Sequence, residues 1–314
     1  MVGTLVWDTI HGRDAGRDAP VEEWGGISYA LSAFELAGPE GWTLFPIVKV
    51  GEDMRRRARR FLTGLERVDS LDGVRFVDAP NNRVELEYRD SRRRTERLRG
   101  GVPGWTWEEL APLVASCDAL YVNFIAGWEM DLPEARRLRT AVPGPLYADL
   151  HSLFLGVGPG GVRRPRGLER GAEWVSCFDF VQMNEDELRS LAGEGADPWE
   201  TARRAVAEGR ARAVLVTRGA RGVRWVAGPD VAGSGGGVRV GDEPAEEVVE
   251  DPDPTGCGDV WGITCFGALL AGATIREAAR RANRVAATNA GHRGGRALAG
   301  LGDAGLIKEE GEGT

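Results

Sequence analysis

Asp253-Pro254-Thr255-Gly256-Cys257-Gly258-Asp259 runs directly into Val260-Trp261-Gly262 and an apolar helical pattern that lasts to Leu270. Glycines just before a helix let backbone N–H groups converge on one point, at the positive end of the helix dipole. An anion, or an anionic transition state, is stabilised at such a point. Asp259 at the helix start is then a carboxylate beside an anion hole, placed to take a proton from a hydroxyl as it attacks phosphorus. A lone Gly-x-Gly-Asp is explained as well by a glycine turn with an ordinary N-terminal acid. The rest of the chain has to decide.

Working outward, short apolar runs alternate with amphipathic segments. Strands are expected at Gly3–Trp7, Thr43–Val48, Ala119–Asn123, Leu146–Asp149, Phe178–Met183 and Ala213–Thr217. Helices are expected at Ser28–Leu36, Asp53–Leu65, Asn184–Leu191, Pro198–Glu208, Asp259–Leu270 and Ile275–Ala290. Strands separated by helices of this length read as βαβ units: an α/β fold with a central, mainly parallel sheet and helices on both faces. The chain is expected to form a single domain.

One region breaks the rhythm. From Val74 to Arg99 apolar and polar residues alternate (Val74, Phe76, then Val84, Leu86, Tyr88), with turn residues at Pro80-Asn81-Asn82 and Asp90-Ser91. That pattern suggests an antiparallel, hairpin-like insertion. With residues 11–23 it is expected to form a small β lid spanning about 74–104, over a site at the strand C-termini. The alternatives are an edge cover or a subunit contact, the latter making a homodimer through the lid.

Composition excludes several classes. The 314 residues carry 40 basic and 48 acidic side chains, a net charge of −8, so no positive field is available to hold nucleic acid. All but two of the basic residues are arginine, the exceptions being Lys49 and Lys308, and neither stands in a Gly-Lys-Ser/Thr context. A Walker A loop and a protein-kinase lysine are therefore absent. Cys117, Cys177, Cys257 and Cys265 form no Cys-x-x-Cys pair, which fits reduced thiols and a cytoplasmic location better than a disulfide frame. The N-terminus has no basic region before a long apolar run, and Val260–Ile275 falls short of the roughly 20 residues a membrane helix needs, so neither a secretory leader nor a membrane span is expected. Gly156-Val157-Gly158-Pro159-Gly160-Gly161 spells Gly-x-Gly-x-x-Gly, but no helical pattern follows, and the dinucleotide reading fails in that context. The arginine runs at 55–57, 59–60 and 92–94 read as solvated faces.

The ordered set of motifs resembles the PfkB-type carbohydrate kinases, the ribokinase-like family, from about Gly3 to Gly295. Asp253-x-Thr-Gly-x-Gly-Asp259 is similar to the family signature, and Gly25-Gly26 before a helix is similar to its first glycine motif. Asn184-Glu185-Asp186-Glu187 fits the Asn-x-x-Glu motif, and Thr217 to Gly222, with Gly219, fits the nucleotide loop after a strand. The resemblance implies transfer of the ATP γ-phosphoryl group to a hydroxyl of a small sugar or sugar-like molecule. It implies Asp259 as general base and the N–H groups of Gly256, Cys257 and Gly258 as the anion hole. Asn184 and Glu187 would hold Mg²⁺ through water, and Asp253 and Thr255 would lie by a monovalent cation such as K⁺. Thr217, Gly219, Gly222, Asn184 and Asn283 would line ATP, while Asp8, Gly25 and Gly26 would meet the acceptor.

Two departures stand out: Ala30 where many members carry Asn, and Cys257 where alanine is commoner. Asn184 and Glu187 also have the spacing of a capping box, which by itself explains them. The rival readings are a nucleoside kinase, with Trp7 and Tyr29 near a base, and a ligand sensor without catalysis.

Overall fold

Strand β1 (Val2–His11) takes part in two sheets, and the site is built around that double membership. The computed structural model describes residues 1–11, 20–88, 94–233, 236–245 and 252–291, with only the backbone described at 88 and 94. The chain continues through β2 (Val21–Gly26), β3 (Ile47–Gly51), β4 (Val74–Val77), β5 (Arg83–Tyr88), β6 (Arg94–Arg99), β7 (Leu120–Asn123) and β8 (Leu146–Asp149). Then come β9 (Leu155–Val157), β10 (Arg163–Pro165), β11 (Phe180–Asn184), β12 (Ala213–Thr217), β13 (Val223–Ala227) and β14 (Arg239–Glu243). The main sheet has the order β14-β13-β12-β11-β8-β7-β1-β3-β4. It is parallel from β12 to β4, and β13 and β14 add an antiparallel edge.

Successive residues of a strand face opposite ways, so a central strand must be apolar on both faces. Leu120 and Val122 of β7 join one core, and Tyr121 between them joins the other. Helices α1 (Ile27–Ala37) and α2 (Arg55–Leu62) cover the Tyr121 side. The opposite face is covered by α3 (Trp107–Val114), α4 (Leu132–Ala141), α5 (Gly171–Val175), α6 (Glu185–Ala192) and α7 (Pro198–Ala207). After the short α8 (Pro229–Ala232), the chain returns to the first face with α9 (Cys257–Leu270) and α10 (Ile275–Ala290). Helix α9 is buried from Val260 to Ala268, because it lies between α1, α10 and the sheet. That placement accounts for its apolar composition. Phe266 packs there on Tyr121, Tyr147 and Phe180, a burial worth about 1.5–3 kcal/mol for one such side chain.

Beyond Thr4, β1 leaves the main sheet. Trp7–His11 pairs with β5 in parallel, and β1 pairs antiparallel with β2 from Leu5 to Ile10. The β5–β6 hairpin completes a small second sheet whose apolar face holds Val6, Ile10, Val84, Leu86 and Leu98.

The sequence expectation needs correction in places. Val74–Val77 is no part of the hairpin; it is β4, an edge strand parallel to β3. An edge strand covered on one face alternates as a hairpin strand does, which is why periodicity merged them. The third strand starts at Ile47 rather than Thr43, after Pro46, which has no N–H for a ladder. Helices α3 and α4 and the β13–β14 pair were not anticipated. The turn between β9 and β10 contains Gly158–Gly161, with Gly160 and Gly161 at φ of 67° and 79°, so the Gly-x-Gly-x-x-Gly spelling belongs to a hairpin. Residues 12–19 of the expected lid and Arg92 and Arg93 lie outside the described residues.

Candidate active site

Gly256 caps α9 in a left-handed conformation, φ 73°, which a side chain strongly disfavours. A Cβ there would also overlap the ring of the buried Tyr29 on α1. Position 256 is therefore restricted to glycine twice over. The helical ladder starts with Val260 N–H donating to the Gly256 carbonyl at 2.9 Å. Gly258 and Asp259 precede it, in the first turn, where N–H groups have no intrahelical acceptor. The Cys257 N–H donates to the Pro254 carbonyl at 3.3 Å. Burial pushes the Cys257 thiol up to about 11, against a bond from Asn289 Nδ2 at 3.3 Å. The thiol therefore stays neutral and brings no negative charge to the helix end.

Asp259 is anchored from the sheet: Asn123 Nδ2, at the end of β7, donates to its Oδ1 at 2.9 Å. The next strand, β8, ends in Asp149, whose Oδ2 accepts from Gln182 Nε2 at 3.1 Å. The same Gln182 amide donates to the Gly258 carbonyl at 2.9 Å, and Tyr147 Oη donates to Gln182 Oε1 at 2.7 Å. Burial, and then the charge of Asp259, push the Asp149 carboxyl up to about 8. Asp149 thus gives up its proton less readily than an ordinary carboxyl group, because burial and the neighbouring Asp259 both disfavour its charge.

Asn184 and Glu187 form the capping box expected from their spacing. Asn184 Oδ1 accepts from the Asp186 and Glu187 N–H groups at 2.9 and 3.0 Å, and Glu187 Oε2 accepts from Asn184 N–H at 2.8 Å. Glu187 Oε1 accepts from Asn184 Nδ2 at 2.6 Å and from His151 Nδ1 at 2.5 Å. Burial works against a charged His151, but Glu187, then Asp149 and Glu96, outweigh it and lift His151 to about 9. His151 is therefore a cation. The oxygen donors of Asp149, Asn184 and Glu187 suit a hard ion approached through water. Among the described residues, no group of three His, Cys, Asp or Glu side chains is spaced to grip a metal directly.

Thr217 ends β12, and Gly219–Arg221 form a single 3₁₀ turn before Gly222 at φ 76°. A Cβ on Gly222 would overlap the Glu243 carbonyl. Asn283 is buried with its amide committed: Nδ2 donates to the carbonyls of Glu243 and Pro244 at 3.0 and 2.9 Å, and Oδ1 accepts from Trp261 Nε1 at 2.8 Å. It fixes the wall of the loop region rather than offering a hydrogen-bonding arm. Asp253 Oδ1 accepts from Thr255 N–H at 2.9 Å, and Asn289 Nδ2 donates to the Thr255 carbonyl at 3.1 Å, so this segment is pinned to the end of α10.

At the other end, Asp8 is buried on β1, and a Cβ on Gly25 would overlap its carboxylate. Gly25 is what gives Asp8 its room. Gly26 caps α1 at φ 61° and leaves no space beside the Thr4 carbonyl. Trp7 and Ala30 are core residues, Trp7 set edge-on against Trp24 with centroids 5.3 Å apart.

One cavity of about 490 Å³ joins these parts. Asp8, Gly26, Leu86 and Glu96 line it beneath the small sheet, and Asp149, His151 and Asp259 line it at the strand ends. Thr217, Gly219, Gly222, Asn283 and Ala287 line it by the loop after β12. Gly25 and Asp253 stand outside the lining. Asn123, Asp149, Gln182, His151 and Glu96 were missed by sequence reasoning. A strand ending in a carboxylate, as at Leu146–Asp149, was the available signal for Asp149.

Residues 157–299 match the profile of the pfkB family of carbohydrate kinases. The fold is ribokinase-like. A fructokinase with bound ATP from Xylella fastidiosa superposes with a TM-score of 0.73 at 18% identity, covering 99% of this chain and 98% of that one. A pyrophosphate-dependent kinase of the ribokinase family, complexed with a pyrophosphate analogue and myo-inositol, gives 0.70 at 20%, covering 94% and 97%. A nucleoside kinase from Burkholderia thailandensis with inosine gives 0.70 at 17%, covering 99% and 100%. No curated protein matches the sequence significantly. Among the described residues no helix is long and apolar enough to cross a membrane.

Proposed function

We propose that the protein transfers the γ-phosphoryl group of ATP to a hydroxyl of a small sugar-like or nucleoside acceptor. The observation that carries this reading is Asp259, held by Asn123 in the first turn of α9 behind the left-handed Gly256, facing a cavity with two distinct ends. A carboxylate in that position takes the acceptor's hydroxyl proton as its oxygen attacks the γ-phosphorus, and the bond to the β-phosphate oxygen breaks. The N–H groups of Gly258 and Asp259, with the positive end of α9, stabilise charge on the transferring group. The Cys257 N–H is already taken by the Pro254 carbonyl, so Cys257 shapes the turn without donating to the transferring group.

Thr217, Gly219, Gly222 and Asn283 form the nucleotide wall, and cationic His151 faces the phosphates. Asn184 and Glu187 would hold Mg²⁺ through its water shell, and the ion, when bound, neutralises phosphate charge. Asp253 and Thr255 would lie against a monovalent cation. Asp8, with the space that Gly25 leaves it, and Gly26 receive the acceptor beneath the lid formed by β1, β2, β5 and β6.

The test is an ADP-release screen with ATP and Mg²⁺ over sugars, sugar acids and nucleosides. Turnover is expected with at least one acceptor. Asp259→Asn is expected to lower kcat by about 10²–10⁴-fold with ATP affinity nearly unchanged. A mutant keeping more than half the wild-type kcat moves the base elsewhere. No phosphoryl transfer to any acceptor makes the protein a ligand sensor.

A further inference from the structure

The hairpin of β9 and β10 has no part in the chemistry described so far, yet one of its side chains stands directly behind Glu96, a residue that lines the cavity. Arg163, on β10, is almost fully buried, its side chain 2% exposed. Its Nη1 donates to the Ile125 carbonyl at 2.8 Å and its Nη2 to the Ala126 carbonyl at 3.2 Å. Its Nη1 also lies 3.4 Å from Glu96 Oε1. The loop that supplies those carbonyls is clamped from the other side by the buried Glu129, which accepts from the N–H groups of Ile125, Ala126 and Gly127 at 2.6–2.9 Å. Arg163 is thus a rigid guanidinium fixed to main chain, with Glu96 held against it.

Glu96 occupies an unusual register. It pairs across the hairpin with Leu86, as Leu98 pairs with Val84, and cross-strand partners share a face. That face is apolar at Val84, Leu86 and Leu98 and lies toward the cavity. A carboxylate in such a row carries a desolvation cost, which a structural role alone does not require. Beneath it, Asp8 lines the same end of the cavity. Among the described lining residues there, no Lys or Arg side chain is offered to a ligand; Arg163 stands behind Glu96 with donors on backbone carbonyls.

We infer that Glu96 is an acceptor-recognition residue, aimed into the cavity by Arg163, and that this end takes an uncharged polyhydroxylated molecule in preference to a sugar acid or sugar phosphate. Two carboxylates accept hydrogen bonds from hydroxyl groups and repel an anionic acceptor. The inference rests on the kinase reading for its catalytic arm only, since acceptor binding is measurable without transfer.

The experiment uses the full chain with D-ribose, D-fructose, myo-inositol and inosine as uncharged probes, and D-gluconate and fructose 6-phosphate as anions. Calorimetric binding and ADP release are both measured. An uncharged probe is expected to bind and to be used at least about tenfold better than either anion. Glu96→Gln is expected to raise its Kd and KM about tenfold, the loss of one hydrogen bond to a charged group, with kcat and the KM for ATP within about twofold. Arg163→Met should show the same rise, and Arg163→Lys, which keeps the charge, should recover part of it. Preference for an anion, an unchanged acceptor KM and Kd in Glu96→Gln, or no binding of any uncharged probe overturns the inference, and the pair is then a structural tie. If an uncharged probe binds, Glu96→Gln weakens it and nothing is phosphorylated, the kinase reading fails while the acceptor assignment stands.

Discussion

The two ends of the cavity are built by opposite means. Around Asp259 and the β12 loop, nearly every named polar side chain is tied to backbone or to a neighbour: Asn283 to Glu243 and Pro244, Gln182 to Gly258, Asn289 to Thr255. What faces outward there is main chain, small side chains and a helix end. Beneath the small sheet the lining is apolar, with single carboxylates set into it at Asp8 and Glu96. A phosphate donor offers the same charges whatever is attached to it, so fixed amides suffice. An acceptor is told from its rivals by hydroxyl positions, so side chains must do that reading. The difference teaches where specificity resides: changes by α9 should alter rate, and changes on β5 and β6 should alter choice.

Shortening the β5–β6 hairpin so that Leu86 through Glu96 are replaced by a Gly-Ser turn tests this contrast most severely. Removal of that cover should raise the acceptor KM by about tenfold or more and let water compete for the phosphoryl group, so more ATP is hydrolysed per acceptor phosphorylated. The KM for ATP should move much less. An unchanged acceptor KM and coupling ratio would reduce the hairpin to an edge cover or subunit contact.

Glu187→Gln comes next. Gln also completes a capping box at that position, so a lower Tm is expected chiefly from loss of the charge facing His151. A metal role predicts in addition a right-shifted Mg²⁺ dependence of rate. A shift in Tm with an unchanged Mg²⁺ curve leaves Glu187 as a cap and a partner of His151 alone.

Cys257→Ala should do least. Its thiol is neutral below about pH 10 and its contribution to the site is backbone, so kcat should stay within about threefold. Iodoacetamide should react with it far more slowly than with a free thiol, since the thiolate is the nucleophile. Rapid labelling at pH 7.5 that abolishes activity would show the side chain to be more accessible than its burial implies.

Much of the end around Asp259 was legible in the sequence, because its signals are local. Gly256 through Asp259 are contiguous, the cap from Asn184 to Glu187 spans four residues, and Ile275–Ala290 has the boundaries that periodicity gave it. The end beneath the small sheet was legible only as an interruption of rhythm. Glu96 looks like one charge in Arg94-Thr95-Glu96-Arg97, and its meaning depends on Arg163, 67 positions later, across two hairpins. Asp149 and His151 acquire their character from Asp259 and Glu187, over long stretches of chain that no pattern of periods two or 3.6 connects. The alternation that grouped Val74 with the hairpin failed for a related reason: period two reports one covered face, not which neighbour covers it.

Strand β1 belongs to both sheets without a break, from Val2 beside β3 and β7 to His11 beside β5. A cover joined by a loop can swing free; one that shares a backbone with the central sheet can move only by twisting or bending that strand. The mechanical joint then lies within β1 near Val6 and Trp7, where hydrogen bonding passes from one sheet to the other and Trp7 N–H turns to the Asn82 carbonyl at 2.9 Å. Asp8 is one residue past that joint. On the proposed reading, flexing of the small sheet would therefore displace Asp8 along with the cover, so enclosing and aligning the acceptor would be a single mechanical event.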